Sequence, residues 1–66
     1  MQVFFAGQEF HFFPGATVHD LIGRLPDADR QACREGKAYV ADRDGHEIGA
    51  GGALTPDATY FLRYRD

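Results

Sequence analysis

The side chains of this chain that could do chemistry are three histidines, one cysteine and a small group of carboxylates. A metal site needs such ligands at a fixed spacing. His11, His19 and His46 fall on separate segments, and no H-x-x-H or H-x-x-x-H pair exists. We therefore interpret the three histidines as surface residues and expect no metal site from them.

Cys33 is the single cysteine, which excludes an internal disulfide and fits a reducing compartment. Arg30 and Arg34 flank it at helical spacing and could lower the pKa of its thiol slightly, as a reactive cysteine requires. No base stands beside it in the sequence. A small buried apolar residue is the favoured interpretation.

Asp42, Asp44 and Glu47 lie around a turn and faintly resemble a calcium loop, but the ligand spacing of an EF-hand is absent. Solvated turn acids are the better interpretation. The glycine-rich run 49–52 lacks the lysine and the following helix of a phosphate loop, which favours a plain connector. The sequence thus predicts no catalytic residue, no metal and no cofactor.

The composition limits the class of protein. Sixty-six residues make one domain, residues 1–66, and a chain of this length buries only about 60% of its unfolded surface. The net charge of −3 and the scattered basic residues disfavour nucleic acid as a partner. No apolar run is long enough for a signal peptide or a membrane span. We therefore expect a cytoplasmic protein without a membrane partner.

The stretch from Phe12 to Ile22 organises the predicted elements. Pro14-Gly15 ends a strand, Thr17 is a natural N-cap, and Asp20 follows it at capping-box spacing. The apolar residues after the cap follow the i, i+3, i+4, i+7 spacing of one helix face; they are Val18, Leu21, Ile22 and Leu25. Pro26 stops the helix.

The other elements follow from alternation and turn signals. Two strands, 2–6 and 9–13, are joined by a turn at Gly7-Gln8. Residues 27–35 form either a second short helix or an ordered loop. The predicted elements of the second half are strand 37–41, turn 42–45, strand 46–48, connector 49–52, an apolar anchor at Leu54, turn 55–58 and strand 59–64.

In this order the motifs resemble the ubiquitin-like β-grasp superfamily, and within it the ThiS/MoaD sulfur-carrier group. Residues 12–21 are similar to a P-x-G-A-T-V-x-D-L pattern, residues 38–48 to a V-N-G-E hairpin with two extra turn residues, and residues 51–58 to a G-G-x-L…D-G-D connector. The opening five residues also resemble the start of ubiquitin. The TGS domains of some tRNA synthetases and GTPases share the G-x-T-V-x-D element.

The resemblance implies an α+β, β-grasp fold: a mixed sheet of 4–5 strands in spatial order two, one, five, three, four, with one helix packed on one face. Sulfur carriers act through a flexible C-terminal Gly-Gly whose carboxylate is adenylated and converted to a thiocarboxylate. This sequence ends Tyr64-Arg65-Asp66, and its Gly-Gly pair, Gly51-Gly52, precedes the last strand. The resemblance therefore carries over the fold and not the residues of sulfur transfer.

Strand alternation and the resemblance together divide the apolar residues between two sheet faces. The residues expected to face the helix are Val3, Phe5, Phe10, Phe12, Val40, Tyr60 and Leu62, which meet Val18, Leu21, Ile22, Leu25 and Leu54. Those expected on the uncovered face, called the open face below, are Phe4, His11, Phe13, Tyr39, Phe61 and Arg63. An exposed apolar patch of this kind usually marks an interaction site.

Three functions are compatible with this sequence. The first is a non-catalytic module that docks through the open face on a protein partner, such as an enzyme subunit encoded nearby, or on a second copy of itself. The second is a sulfur carrier with an atypical C-terminus. The third is a TGS-like module for a ligand or RNA, which the acidic balance of the chain disfavours.

Overall fold

The computed structural model describes residues 1–65, which form a small α+β domain. Its seven elements, in chain order, are β1 (Gln2–Phe5), β2 (Gln8–His11), α1 (Val18–Ile22), α2 (Asp27–Arg34), β3 (Ala38–Asp42), β4 (Glu47–Ile48) and β5 (Thr59–Tyr64). None of the helices in this part of the chain is long and apolar enough to cross a membrane.

A two-residue turn at Ala6 and Gly7 joins β1 to β2. Both residues have positive φ angles, 52° and 81°, as the tight hairpin turns that match the strand twist require. Phe5 consequently pairs with Gln8. The predicted turn at Gly7-Gln8 is therefore wrong by one residue, although the hairpin itself is confirmed.

The hairpin continues for one pair beyond the end of β2. The N–H of Phe12 donates to the Met1 carbonyl over 2.8 Å, and the Met1 amino group donates to the Phe12 carbonyl over 2.5 Å. Pro14 has no N–H with which to extend the pairing. Phe13, which we predicted inside the second strand, therefore lies outside the sheet.

Helix α1 is capped as the sequence predicts. The Asp20 carboxylate accepts hydrogen bonds from the Thr17 backbone N–H over 2.8 Å and from the Thr17 hydroxyl over 3.3 Å. The helix ends at Ile22, earlier than the predicted stripe to Leu25. A tighter turn follows, in which the N–H of Leu25 donates to the Ile22 carbonyl over 3.0 Å, and this turn still buries Leu25 in the core.

The connector between β4 and β5 lies against the start of α1. The N–H groups of Val18 and His19 donate to the carbonyls of Gly52 and Ala50, each over 3.0 Å. The connector thus satisfies two of the backbone donors that a helix leaves free in its first turn. It also delivers Leu54, the predicted anchor, into the core.

Residues 27–34 form a second helix, which resolves the alternative between a helix and an ordered loop. Helix α2 contacts β3, its Cys33 packs against the core, and the hydroxyl of Tyr64 in β5 donates to the Asp29 carboxylate. The prediction of a single helix on the sheet is therefore wrong, because two helices are present. Both helices lie on the same face, so the opposite face remains uncovered by helices.

The five strands form one mixed sheet in the order β2-β1-β5-β3-β4, which confirms the expected spatial order. The central pair, β1 and β5, is parallel, and the other pairs are antiparallel. The core between sheet and helices contains apolar side chains from β1, α1, β3 and β5 and from the loops between the elements: Val3, Phe5, Phe12, Ala16, Val18, Leu21, Leu25, Val40, Leu54 and Tyr60.

Candidate functional site on the open face of the sheet

The pairing register places the predicted aromatic residues on the sheet face opposite the helices. Phe5 in β1 is 1% exposed and points to the core, so its neighbour Phe4 points the other way. In the β3–β5 pair, Tyr39 lies opposite Arg63 and Ala41 opposite Phe61. These residues lie on the open face because cross-strand partners share a face.

Phe4 is the most accessible ring on the strands of this face. It is 38% exposed, and it belongs to β1, the strand next to the centre of the sheet. Tyr39 and Phe61 are half-buried. The three rings lie on three adjacent strands, β1, β5 and β3, and are not enclosed with the helices.

Arg63 covers part of Phe61. Its guanidinium carbon lies 5.1 Å from the centre of the Phe61 ring, within the range of a cation–π contact. The Arg63 side chain is exposed, so its donors face solvent. The open face therefore presents a positive charge directly beside its aromatic rings.

A second arginine, which the sequence reasoning did not include, covers Tyr39. The guanidinium carbon of Arg65 lies 4.5 Å from the Tyr39 ring centre. One guanidinium nitrogen contacts both carboxylate oxygens of Glu47 at 2.8 Å, and Nε donates to the Gly36 carbonyl over 3.0 Å. Because Glu47 neutralises Arg65, Arg63 is the arginine of this face that has no acidic partner among residues 1–65.

The predicted site extends less far toward β2 than the sequence indicated. His11 lies on the open face, exposed, with its ring nitrogen 2.8 Å from Glu9, its neighbour two positions away on the same face. Phe13 is 62% exposed but lies beyond the end of β2. The aromatic band therefore runs over Phe4, Phe61 and Tyr39, with Phe13 outside the sheet.

The β3–β4 turn brings three possible ligands together, within 4.8 Å of one another: Asp42, Asp44 and His46. The Asp42 carboxylate already accepts the N–H groups of His46 over 3.0 Å and of Asp44 over 2.9 Å, and these bonds, that from His46 above all, lower its pKa. Glu47, which we had grouped with these acids, turns away to Arg65. The arrangement is that of a turn fixed by an aspartate side chain.

Cys33 does not have the activated thiol that its flanking arginines suggested. Burial, and after it the negative charge of Asp29, raises the pKa of the Cys33 thiol above its usual value. The lowering of this pKa that Arg30 and Arg34 suggested is not found, because desolvation of the thiolate dominates. The favoured interpretation, a small apolar residue, agrees with the half-buried position of Cys33 against the core. The thiol is neutral at pH 7 and contributes to packing.

The sequence contained a signal for the arginine that we missed. In β5, residues 61 and 63 share the open face, and the same alternation continues to Arg65. Glu47 could not be paired with it from sequence, because the register of the two-residue strand β4 depends on the turn geometry.

No protein-family profile matches this chain, and no curated protein is similar to it.

Proposed function

We propose that this chain is a small, non-catalytic β-grasp protein that docks through its open face on a protein partner. The observation that carries this proposal is the position of Phe4, a ring 38% exposed beside the centre of the sheet, on the face without helices. With the half-buried rings of Phe61 and Tyr39 on the neighbouring strands it forms an apolar patch, and such patches mark protein interaction sites.

The β-grasp assignment is supported by topology. A hairpin, a crossover helix and a parallel return strand between β1 and β3 produce the order β2-β1-β5-β3-β4. The motifs that resemble the sulfur-carrier group lie where this topology needs them: the capped start of α1 and the connector that packs on it. We infer a relationship of fold and not of chemistry.

The partner's surface is expected to be apolar at its centre and acidic beside it. Phe4 and Phe61 offer the apolar area, and Arg63 offers an exposed guanidinium beside them. Aromatic residues and arginine are the side chains that most often contribute binding energy at protein interfaces. A carboxylate on the partner would gain a charge-assisted hydrogen bond from Arg63.

A sulfur carrier with an atypical C-terminus is less well supported. Such a carrier acts through a mobile Gly-Gly pair. The Gly51-Gly52 pair of this chain is held inside the domain, because the Gly52 N–H donates to the Gly49 carbonyl over 2.9 Å and the Gly52 carbonyl accepts the Val18 N–H over 3.0 Å. The TGS-like alternative lacks a cluster of basic residues on the open face, since Arg65 is paired.

The test uses candidate partners encoded beside this gene, each titrated against the purified chain by calorimetry, and sedimentation of the chain alone for self-association. Phe4→Ser removes the exposed ring without touching the core. We expect it to weaken binding to the partner, or to a second copy, by at least about ten-fold, the effect of a typical interface anchor.

Tyr64→Ser is the matched control, because Tyr64 is also an exposed ring, 53% exposed, but lies on the helix side of the sheet. It should leave the affinity unchanged. The proposal is wrong if Phe4→Ser and Tyr64→Ser bind equally well, or if the chain neither binds those partners nor associates with itself.

A further inference from the structure

A groove between the two helices, on the side opposite the open face, has the composition of an anion site. Its volume is about 650 Å³, and its lining residues come from α1, the turn after it, α2 and the β4–β5 connector. They are His19, Ile22, Gly23, Arg30, Cys33, Arg34 and Ala50. Pockets for small ligands usually measure about 300–1,000 Å³.

The charge of this groove is opposite to that of the chain. The protein has ten acidic residues against seven lysines and arginines, yet the lining contains two arginines and a histidine and no acid. Arg30 and Arg34 are one helical turn apart on the same face of α2, so a single anion can contact both guanidinium groups.

The two arginines differ in their present partners. Arg30 is paired with Asp27, whose side chain is 92% exposed. Arg34 has only a long hydrogen bond, 3.4 Å, to the Gln31 side chain, and no acidic partner among residues 1–65. Glu35 directly follows α2, and its carboxylate is bound to Gln31 and Lys37. Arg34 is thus the guanidinium most available to a ligand.

The floor of the groove is apolar. Ile22 and Cys33 are half-buried there and pack against the core. Because the Cys33 thiol is desolvated, it stays neutral and does not repel a negative ligand. The connector closes one wall with Ala50, whose carbonyl accepts the N–H of His19 over 3.0 Å.

We propose that this groove binds a small organic anion, with its carboxylate or phosphate held by Arg34 and Arg30 and its apolar body against Ile22 and Cys33. The site is separate from the open face. Its ligand and the docked protein partner can therefore be present together, and the failure of one proposal leaves the other standing.

The experiment is an NMR titration of the isotope-labelled chain with 2-naphthoate, its neutral analogue 2-naphthamide, and inorganic phosphate. We expect naphthoate to shift the backbone amides of Gly23, Cys33 and Ala50 in a saturable way. Naphthamide, which lacks the charge, and phosphate, which lacks the apolar body, should each bind about ten-fold more weakly.

Two variants locate the charge. Arg34→Gln should weaken naphthoate binding about ten-fold while leaving naphthamide unchanged. Arg43→Gln, the same change on the exposed β3–β4 turn outside the groove, should change neither. Spectra of both variants report directly whether the fold persists.

Any one of four outcomes would overturn the proposal. Naphthoate causes no saturable shift at the groove amides, or the neutral analogue binds as tightly as the anion, or Arg34→Gln and Arg43→Gln have equal effects. If phosphate alone binds as tightly as naphthoate, the apolar floor takes no part and the proposed ligand class is wrong.

Discussion

At the scale of single residues, Gly52 shows how closely the connector approaches β4. A Cβ atom there would lie 2.6 Å from Cγ2 of Ile48 and 3.1 Å from the carbonyl oxygen of Gly49. The methyl of a β-branched side chain has little freedom to move away. The second glycine of the Gly51-Gly52 pair is therefore required by packing inside the domain, a role unrelated to the mobile Gly-Gly of sulfur carriers.

We predict that Gly52→Ala destabilises the protein by about 1–3 kcal/mol, the usual cost of overpacking. Gly51→Ala is the matched control, since nothing lies within 4 Å of its added Cβ, and it should be close to neutral. Urea unfolding of both variants measures the difference. Equal losses of stability would mean that the connector relaxes freely around residue 52.

The stability that Asp42 gives to the β3–β4 turn depends on pH. Hydrogen bonds from the N–H of His46 and of Asp44 hold its pKa below the usual value in the folded state. The unfolded chain therefore binds a proton at this carboxylate at higher pH than the folded chain does. The stabilisation is complete above the unfolded pKa and is lost as pH falls through the folded pKa.

The variant Asp42→Asn retains the acceptor oxygen but cannot titrate. We predict that the wild type loses unfolding free energy relative to Asp42→Asn as pH falls from about 5 toward 2, the range in which carboxylates protonate. Urea unfolding at a series of pH values provides the measurement. A difference that stays constant over this range would show that the turn hydrogen bonds do not favour the charged form.

At the scale of elements, the two helices contribute very differently to the core. Val18 and Leu21 of α1 are 1% and 0% exposed, whereas no residue of α2 is fully buried. Local opening costs less free energy where fewer apolar contacts are broken. Helix α2 is thus the element most easily detached from the sheet.

We predict that backbone amides in α2 exchange with solvent through local opening, at a lower free energy than amides of β1 and β5. Native-state hydrogen exchange at increasing urea concentration separates the two classes, because local opening depends little on urea. If α2 amides exchanged only with global unfolding, the helix would be part of the cooperative core despite its exposure.

The elements also show what sequence reasoning could reach. Alternation assigned Phe4 and Phe5 to opposite faces, and the capping residues Thr17 and Asp20 located the start of α1. The C-terminal end of α1 was predicted too late. The helix ends at Ile22 and a tighter turn follows, and this turn places Leu25 on the same apolar face as a longer helix would.

The sequence did not decide between a helix and a loop for the second helix, and the reason is physical. The contacts that attach it to the rest of the domain are non-local: Cys33 with the core, and Asp29 with Tyr64. The segment itself is largely polar and has no side-chain cap at Pro26. Only part of the candidate site could be predicted from the sequence in the same way. The positions of its rings follow from strand alternation, whereas the Arg65–Glu47 pair depends on how β4 and β5 align in the folded sheet.

At the scale of the whole molecule, a small core makes each large side chain in it important. A chain of 66 residues has a free energy of unfolding of roughly 3–10 kcal/mol. Leu21 and Phe5 are almost fully buried, and truncating such a side chain typically costs about 2–5 kcal/mol. One core substitution can therefore remove most of the free energy of unfolding.

We predict that Leu21→Ala lowers the unfolding free energy by about 2–5 kcal/mol and leaves a substantial unfolded population at 37 °C. Phe13→Ala, a change at a ring 62% exposed outside the sheet, should stay within about 0.5 kcal/mol of the wild type. Thermal and urea denaturation followed by circular dichroism compare the two. A similar loss for both would mean that Phe13 packs in solution.

The parallel pairing of β1 with β5 sets the time at which this protein can fold as it is made. The second residue of the chain begins one strand of that pair, and residue 64 ends the other. During synthesis on the ribosome, the β1–β2 hairpin and both helices emerge before β5, the strand in the middle of the sheet. The emerging chain must therefore hold Val3 and Phe5 without their final neighbour until synthesis reaches the last strand, and native structure becomes possible only after β5 has left the exit tunnel.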